Sequence, residues 1–274
     1  MSRTVGITGA SGLIGHYLLR SAPHHWRAHA APRNPDRLSD WWKEHRPELV
    51  IHCAALSKAA ACEKDPELAR KSNVELTRQL CELVADAWLI FFSTDLVFDG
   101  SKGNYSETDA VNPLTVYGRT KAEAERIVLA NPRHTVIRVS LNAGVSPTGD
   151  RAFNEEIHNA WRKGEMLKLF TDEFRTPIPA AVTARATWEL AEKQATGLFH
   201  LGGTEKLSRW DIGQLLAERW KDATPKMAPG SVGDYKGPLR SPDTSLDCAK
   251  VQKWLSFPLP RLSEWLRANP HEPI

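Results

Sequence analysis

The chain has 274 residues, of which 41% are hydrophobic and 25% are charged, a composition typical of one or two globular domains and not of a disordered segment. Its formal net charge is only +3 and no basic run stands out, so a nucleic-acid partner is not predicted. No stretch approaches the roughly 18 apolar residues that a membrane helix requires, and the N-terminus has no apolar region typical of a signal peptide.

Short apolar runs alternate with helix-length stretches along the first half of the chain. The runs cover residues 4–8, 49–54, 88–93 and 135–139, and they lack the alternation of a half-exposed strand. Continuous apolar runs of this kind are typical of parallel strands that are buried on both faces. Amphipathic stretches at residues 65–86 and 117–130 fit helices between them. The pattern predicts an α/β protein with a doubly wound parallel sheet, the Rossmann fold.

The first strand leads directly into a glycine-rich turn with the sequence GASGLIG. Glycine permits a tight turn and lets the backbone approach a pyrophosphate, which the N-terminal N–H groups of the following helix then bind. The spacing GxxGxxG is weak evidence alone, but its position between a strand and a helix predicts dinucleotide binding. The predicted cofactor-binding residues of this turn are Gly9, Ser11, Gly12, Leu13, Ile14 and Gly15.

The end of the second strand indicates which dinucleotide is bound. An acidic residue at this point favours NAD, whereas an arginine suits the 2′-phosphate of NADP. The stretch WRAHAAPRNPDR has no acid at its apolar end and instead supplies Arg33, with Arg37 close behind. NADP(H) is therefore favoured, with NAD(H) as the alternative and two solvated loop arginines as the simpler interpretation.

Three polar residues follow the central strand at spacings that suit carbonyl chemistry. Thr94 ends the run WLIFFST, and Tyr117 and Lys121 lie four residues apart, on one face of the predicted helix. Thr94 can orient a carbonyl and Tyr117 can exchange a proton with the developing alkoxide. Lys121 can lower the phenol pKa from its usual value of about 10 and also reach a ribose hydroxyl. These three residues are the predicted catalytic set.

Beyond residue 149 the alternation loosens. Residues 180–194 and 208–220 fit helices, the second with Ser208 as its N-cap, and the sequence from 197 to 203 is strand-like. We predict a dinucleotide-binding domain over residues 1–148 and a smaller, mainly substrate-binding lobe over residues 149–274. Within this lobe, residues 180–203 are expected to return to the first domain.

Several stretches resemble the dTDP-4-dehydrorhamnose reductase branch of the extended short-chain dehydrogenase/reductase superfamily, and the resemblance covers nearly the whole chain. The matching stretches are RPELVIHCAALSKAAACEKDPELARKSNV, STDLVFDG, NPLTVYGRTKAEAE and RSPDTSLDCAKVQKW. The resemblance implies reduction of the keto group of a nucleotide-linked sugar, with Thr94, Tyr117 and Lys121 as the catalytic set. It also implies that Ala54 and Ala55, on the loop after the fourth strand, lie close to the cofactor.

Further positions are assigned by the same resemblance. Asn73 matches a helix asparagine that supports the active site, through a water, and the segment from Arg138 to Ser140 matches one that lines the nicotinamide. Asn73, Tyr117, Lys121 and Ser140 are therefore counted with the cofactor-binding residues. Phe153 and the DEFRTP loop fall where the branch builds its sugar-nucleotide pocket, and Asp95 is counted with this substrate-binding set. The helices at 65–86 and 117–130 match those through which many relatives form homodimers, although other relatives associate differently.

Some positions depart from the branch and leave the substrate open. Leu96 replaces an aromatic residue, and the acid that dehydratases carry there is also absent. Arg175 stands where many relatives have a smaller or uncharged residue, and it could grip a phosphate or carboxylate or form a surface ion pair with Glu173. Two rival functions remain: an epimerase with tightly held NAD, and a cofactor-binding regulatory subunit like the beta subunit of methionine adenosyltransferase.

Cysteine and histidine spacings give no sign of a metal site. Cys53, Cys62, Cys81 and Cys248 match neither a CxxC pair nor a dense disulfide framework, and the ten histidines include no HxxxH or HExxH pattern. Nothing identifies magnesium ligands either. Reduced thiols and a cytoplasmic location are the simplest expectation.

Overall fold

The computed structural model describes residues 3–84, 86–220 and 224–274. These residues form twelve strands and eleven α-helices, numbered along the chain. The strands are β1 (Arg3–Thr8), β2 (Trp26–Ala30), β3 (Leu49–His52), β4 (Trp88–Thr94), β5 (Thr135–Val139), β6 (Asn142–Ala143), β7 (Leu167–Phe170), β8 (Phe174–Arg175), β9 (Ile178–Pro179), β10 (Gly197–Leu201), β11 (Leu207–Ser208) and β12 (Met227–Gly230). The helices are α1 (Leu13–Arg20), α2 (Leu38–His45), α3 (Ala59–Lys64), α4 (Pro66–Arg70), α5 (Leu76–Leu83), α6 (Val116–Leu129), α7 (Phe153–Arg162), α8 (Ala180–Glu192), α9 (Arg209–Arg219), α10 (Ala249–Gln252) and α11 (Leu262–Ala268).

Six strands form one parallel sheet in the order β2-β1-β3-β4-β5-β10. The order reverses between β1 and β3, because the chain winds outward from β1 in one direction and then from β3 in the other. In sheets of this kind, ligands bind outside the carboxyl ends of the strands at such a switch point. The predicted doubly wound parallel sheet is confirmed, and Thr94 ends β4 near its centre.

The sheet is buried on both faces, which explains the continuous apolar runs. Along β4, Ile90 and Phe92 pack into a cluster that includes Leu18 of α1. Leu89 and Phe91 point to the other face, into a smaller cluster with side chains of α6. Burying each such side chain contributes roughly 1.5–3 kcal/mol. Two helical layers therefore cover a rigid sheet whose strand ends carry the site.

The helix predicted over residues 65–86 is divided in the structure. The side chain of Asp65 accepts a hydrogen bond from the N–H of Leu68, and Pro66 occupies the first turn, so α4 begins there. A wider π-helical turn follows at Lys71–Glu75 before α5, which ends at Leu83. Ala85, within the predicted helix, lies outside the described residues. Among the helices of the described ranges, none is long and apolar enough to span a membrane.

The C-terminal part adds three small two-stranded sheets, which pair β11 with β8, β12 with β7 and β6 with β9. Its helix α9 starts after Ser208, whose hydroxyl accepts from the N–H of Asp211 as the sequence predicts. Strand β10 instead extends the main sheet beside β5, and the Trp188 indole of α8 donates to the Leu18 carbonyl of α1 at 3.3 Å. The domain boundary near residue 148 stays a prediction, and Met1 and Ser2 of the predicted first domain lie outside the described residues.

Candidate active site

One cleft of about 1030 Å³ follows the carboxyl ends of the parallel strands. It is lined by Thr8 of β1, Ala30 of β2, Cys53 directly after β3, Thr94 of β4 and Val139 of β5. Five neighbouring strands therefore contribute residues at or next to their carboxyl ends to the same groove. This is the location that a doubly wound sheet offers to a ligand.

The three predicted catalytic residues all line this cleft. Thr94 is the last residue of β4, while Tyr117 and Lys121 lie one turn apart on α6. The first turn of α6 packs directly on the backbone that follows β4, because a Cβ at Gly118 would lie 2.3 Å from the carbonyl oxygen of Leu96. Gly118 is thus what permits the helix to bring Tyr117 beside Thr94.

The glycine-rich turn forms a cradle that larger residues would fill. Gly9 has a φ of +67°, and a Cβ there would lie 2.6 Å from the backbone nitrogen of Ala54. A Cβ at Gly15 would lie 2.4 Å from the Gly9 carbonyl oxygen. Helix α1 begins without a side-chain cap, so its first N–H groups remain available to an anion. All six predicted residues of the turn line the cleft: Gly9, Ser11, Gly12, Leu13, Ile14 and Gly15.

The stretch after β2 contributes one charged residue to the cleft. Arg33 lines it, together with Ala30, Ala31, Pro32, Pro35 and Leu38, and none of these residues is acidic. Arg37, the second predicted arginine, is not among the lining residues. The local charge thus matches an extra phosphate better than a pair of ribose hydroxyls.

Ala54, Ala55 and Ser140 line the cleft as the resemblance implies, but two details differ. The two alanines follow the third strand of the chain, β3, not the fourth, because only two strands precede β3. Arg138 does not line the cleft: its guanidinium lies behind it and donates to both carboxylate oxygens of Glu125, at 2.9 and 2.7 Å.

Asn73 is buried behind the cleft and does not line it. Its amide oxygen accepts from the N–H of Leu56 at 2.8 Å, and its amide nitrogen donates to the Leu56 carbonyl at 3.1 Å and to Thr120 Oγ1 at 3.0 Å. Direct hydrogen bonds therefore connect Asn73 to the loop after β3 and to the residue before Lys121. The structure thus places Asn73, which was predicted to bind the cofactor, against these supporting segments and outside the lining of the cleft.

The electrostatics of the tyrosine–lysine pair differ from the prediction. The enclosed position of the phenol raises the pKa of Tyr117 well above its usual value, and the nearby Asp95 and Cys62 act in the same direction, against a hydrogen bond to Thr94. Burial also lowers the pKa of Lys121 to about 7. Because the lysine is only partly charged near neutral pH, it does not produce the lowered phenol pKa that the sequence predicts.

Lys121 is almost fully buried, and its ammonium nitrogen lies 3.8 Å from the centre of the Phe91 ring. Glu125, one turn further along α6, and Cys53 oppose the effect of burial and raise the lysine pKa. A cation is favoured over an aromatic face. With burial on one side and these groups on the other, the pKa of Lys121 is about 7, so that near neutral pH about half of the amine is protonated.

The far end of the cleft carries the three predicted substrate-binding residues, Asp95, Phe153 and Arg175. Arg175 is buried and not on the surface. Its Nη2 lies 3.1 Å from Glu173 and its Nε lies 3.6 Å from Asp95. The predicted pairing with Glu173 is present, but the pair forms part of the cleft wall.

Two arginines that the sequence did not single out complete this wall. Arg209 and Arg240 line the cleft, and both contact the same buried carboxylate, Glu173. The Nε of Arg209 lies 3.2 Å from it, while Arg240 donates through Nε and Nη2, at 2.5 and 3.0 Å. The two lie 36 and 67 residues beyond Glu173, so no local pattern links them. We call Arg175, Arg209 and Arg240 the arginine cluster.

The cluster determines the charge of the two carboxylates. Burial alone would raise the pKa of Glu173, but the three guanidinium groups outweigh it, so the pKa lies below its usual value. Burial dominates for Asp95 and raises its pKa, although Arg175 and three hydroxyl groups oppose this. Three arginines thus face one firmly ionised carboxylate and one that resists ionisation, which leaves the wall positive.

Within the described ranges, no group of three or more His, Cys, Asp or Glu side chains is arranged to hold a metal ion. The four cysteines are free thiols. The groups that line the cleft include hydroxyl, amine, carboxylate and guanidinium groups.

Comparisons with known proteins agree with this geometry. The model of the family described as the RmlD substrate binding domain matches residues 3–269. A probable low-salt glycan biosynthesis reductase of Haloferax volcanii is 29% identical over 96% of this chain and 95% of its own length. The methionine adenosyltransferase 2 subunit beta of Bos taurus is 27% identical over 92% of this chain and 82% of its own.

Two solved structures share the whole fold. A hypothetical dTDP-4-dehydrorhamnose reductase from Sulfolobus tokodaii is 30% identical, with a TM-score of 0.83 and coverage of 95% of this chain and 97% of that one. The dTDP-4-dehydrorhamnose reductase of Bacillus anthracis, in complex with NADP, has a TM-score of 0.89 and covers 98% of both chains at 21% identity. At 21% identity, the similarity to the Bacillus anthracis structure shows the fold alone.

Proposed function

This chain belongs to the family of the RmlD substrate binding domain, and from that premise we propose that it is an NADP(H)-dependent reductase of the keto group of a nucleotide-linked sugar. The observation that carries the proposal is the convergence of Thr94, Tyr117 and Lys121 on the cleft that begins at the glycine-rich turn. The substrate we infer is a dTDP-4-keto-6-deoxy sugar, since relatives over nearly the full length include a reductase of glycan biosynthesis and a hypothetical dTDP-4-dehydrorhamnose reductase.

The cofactor half of the cleft fits a dinucleotide phosphate. The turn at Gly9 and Gly15 has no room for side chains, and the uncapped start of α1 offers N–H groups to a pyrophosphate. Arg33 supplies a guanidinium for a 2′-phosphate. When bound, NADPH supplies the hydride, and the remaining steps depend on the residues of the chain.

Tyr117 donates the proton to the alkoxide that hydride addition creates. Its raised pKa keeps the phenol protonated near neutral pH, which suits the direction of reduction. Thr94 donates its hydroxyl proton to Asp95 at 3.1 Å, and the same hydroxyl can turn to the substrate carbonyl. Lys121, once charged, stabilises the phenolate that remains after transfer and can donate to a ribose hydroxyl.

The arginine cluster is the proposed site for the negative charge of the sugar nucleotide. The Arg209 side chain contacts Glu173 through Nε, at 3.2 Å, and its guanidinium carries two further nitrogens that can donate to a ligand. Arg175 has all of its groups engaged, with Phe174 and Ser241 carbonyls as additional acceptors. We therefore expect Arg175 to hold the wall in place, and Arg209 and Arg240 to meet the diphosphate.

A titration of the protein with NADPH and NADH, followed by nicotinamide fluorescence, tests the proposal directly. We expect tighter binding of NADPH and its oxidation when a dTDP-4-keto-6-deoxy sugar is added. A dTDP-sugar without a keto group is the matched control. Binding without oxidation in the presence of the keto sugar would contradict the reductase function.

The similarity to the beta subunit of methionine adenosyltransferase supports a second candidate, a cofactor-binding regulatory subunit. It predicts that the protein binds NADPH, turns over no keto sugar and copurifies with a larger enzyme. An epimerase would instead carry tightly held NAD through purification and show no net oxidation of added NADPH. The titration therefore separates the reductase from the two other functions, and the cofactor and partner protein found after purification separate those two from each other.

The assembly of the chain is a separate proposal. We infer a homodimer through the faces of α4, α5 and α6 from the resemblance. This region carries exposed ion pairs, such as Arg70 with Glu123 at 2.8 Å, which a dimer would have to accommodate. Light scattering on the purified protein would give the mass, and a monomer would contradict the proposal.

A further inference from the structure

A buried histidine lies directly behind the cofactor half of the cleft. His52, the last residue of β3, has no solvent-exposed surface. Its Nδ1 lies 2.6 Å from the hydroxyl of Thr8 and its Nε2 lies 3.0 Å from the hydroxyl of Thr77. Thr8 lines the cleft, whereas Thr77 lies on α5. The imidazole thus joins the cofactor side of the protein to a helix behind it.

The direction of these hydrogen bonds follows from counting protons. The Thr77 hydroxyl donates its single proton to the carbonyl of Asn73 at 2.7 Å. Toward His52 it can therefore only accept, so Nε2 must carry the ring proton. In a neutral ring Nδ1 is then bare, and it accepts from the Thr8 hydroxyl. Thr8 Oγ1 in turn accepts from the N–H of Ala54 at 3.2 Å.

The ring is held in its neutral form by its surroundings. Complete burial lowers the pKa of His52 to about 3, and the nearby Lys121 acts in the same direction. Phe91 packs against the imidazole with 5.5 Å between the ring centres. The tautomer is therefore fixed by geometry and does not change over the physiological pH range.

At its far end this chain of hydrogen bonds reaches the catalytic helix. The Asn73 amide nitrogen donates to Thr120 Oγ1 at 3.0 Å, and that hydroxyl donates to the carbonyl of Tyr117 at 2.8 Å. Asn73 also holds Leu56, in the same loop as Ala54. The donor and acceptor of each hydrogen bond in this network are therefore assigned. A substitution at His52 can displace both the cofactor loop that contains Ala54 and the start of α6.

We propose that His52 is a positioning residue: as the neutral imidazole protonated on Nε2, it fixes the Thr8 hydroxyl against the Ala54 N–H, and thereby sets the cofactor groove between the glycine-rich turn and the loop after β3. The groove is narrow at this point, because a Cβ at Gly9 would already lie 2.6 Å from the Ala54 nitrogen. A small displacement of Ala54 therefore alters the fit of the dinucleotide. This inference rests on the proposed function only in naming NADPH as the ligand.

Two substitutions distinguish the two hydrogen bonds of His52, one to Thr8 and one to Thr77. In His52→Asn the amide oxygen falls near the position of Nδ1 and can still accept from Thr8, while the contact with Thr77 is lost. In His52→Gln the longer amide reaches toward Thr77 and the acceptor for Thr8 is lost. We expect the Kd for NADPH to rise about tenfold in His52→Gln and by no more than about threefold in His52→Asn, as the loss of roughly one hydrogen bond implies.

His200 provides the matched control, since it is also a histidine without solvent exposure, it lies on β10 of the same sheet, and it does not line the cleft. His200→Gln should lower the thermal midpoint as much as the His52 variants do, yet leave the Kd for NADPH unchanged. If the wild type binds NADPH and the two variants His52→Asn and His52→Gln have equal Kd values for it, the positioning role is overturned.

The tautomer has its own measurement, which is independent of any activity. In ¹⁵N spectra of the histidine rings, His52, assigned from its absence in His52→Asn, should show a protonated Nε2 and a bare Nδ1 at every pH between about 5 and 8. A protonated Nδ1 would overturn the inference. A wild type that binds neither dinucleotide would overturn the proposed cofactor and the positioning role together, while these spectra would still decide the tautomer.

Discussion

The two halves of the cleft are built from different materials. The cofactor half consists of glycine, small side chains and backbone N–H groups, and Arg33 is its one charged contribution from the stretch after β2. The substrate half consists of long charged side chains, with the arginine cluster gathered around Glu173. A backbone cradle depends little on the identity of side chains, whereas a wall of side chains can be changed one residue at a time. We infer that the substrate half determines which sugar nucleotide is accepted.

Tyr117 belongs to neither half, because it lies where they meet, and its substitution should give the largest effect. Tyr117→Phe removes the only proton donor we propose while keeping the ring. We expect kcat to fall by at least about 10³-fold, within the range attributed to general acid catalysis, with an unchanged Kd for NADPH by fluorescence. Near-normal turnover would mean that Tyr117 is not the proton donor, and that the chemical step does not depend on the residue where the two halves meet.

Glu173→Gln should disturb the substrate half alone. Removing one partner of a buried ion pair commonly costs about 3–5 kcal/mol, so we expect a free energy of unfolding lower by about 3 kcal/mol at neutral pH in chemical denaturation. Binding of NADPH should stay within about twofold, since its contacts lie at the other end of the cleft. Glu48→Gln, which removes an exposed carboxylate paired with Arg3 at 3.6 Å, is the control and should cost less than about 1 kcal/mol.

The pH dependence of the same variant gives a second test. The folded pKa of Glu173 is lower than its usual value, so its contribution is complete above the unfolded pKa of about 4.3 and is lost as pH falls through the lower folded pKa. The stability difference between wild type and Glu173→Gln should therefore shrink from about pH 4.3 downward. A difference that stays constant to the acid limit would mean that the carboxylate is not held ionised by the arginines.

The same contrast between the halves explains what the sequence predicted. Local sequence patterns define the glycine-rich turn, the strands and the helix that carries Tyr117 and Lys121. These elements could therefore be predicted from the sequence. The arginine cluster depends on tertiary contacts between Glu173 and residues far along the chain, which no spacing encodes. The pKa values of Tyr117 and Lys121 depend on burial, and burial is visible only once the fold is assembled.

Arg33→Ala should sharpen the description of the cofactor half. Losing a charge-assisted contact with a 2′-phosphate should raise the Kd for NADPH about tenfold, while the Kd for NADH changes little. Arg37→Ala is the matched control, because Arg37 is close in sequence but does not line the cleft. If both variants bind NADPH as the wild type does, NADP preference must come from another part of the groove.

The smallest predicted effect concerns Lys121, one turn after Tyr117 on α6. Because burial lowers its pKa to about 7, the amine is largely neutral at about pH 8 in the free protein. Bound dinucleotide brings hydroxyl acceptors and negative charge to the cleft, which favours the ammonium form and raises the pKa. Binding at about pH 8 should therefore take up a fraction of one proton at Lys121, whereas at about pH 6 Lys121 is already charged and should take up almost none.

Calorimetric titration of NADPH in two buffers with different ionisation enthalpies measures this uptake, because the difference in apparent enthalpy is proportional to the protons exchanged. Lys121→Met, which keeps the length of the side chain without its charge, should abolish the difference at about pH 8. Uptake that persists in Lys121→Met would assign the proton to the 2′-phosphate or to another group. In that case Lys121 would have the same charge before and after the cofactor binds.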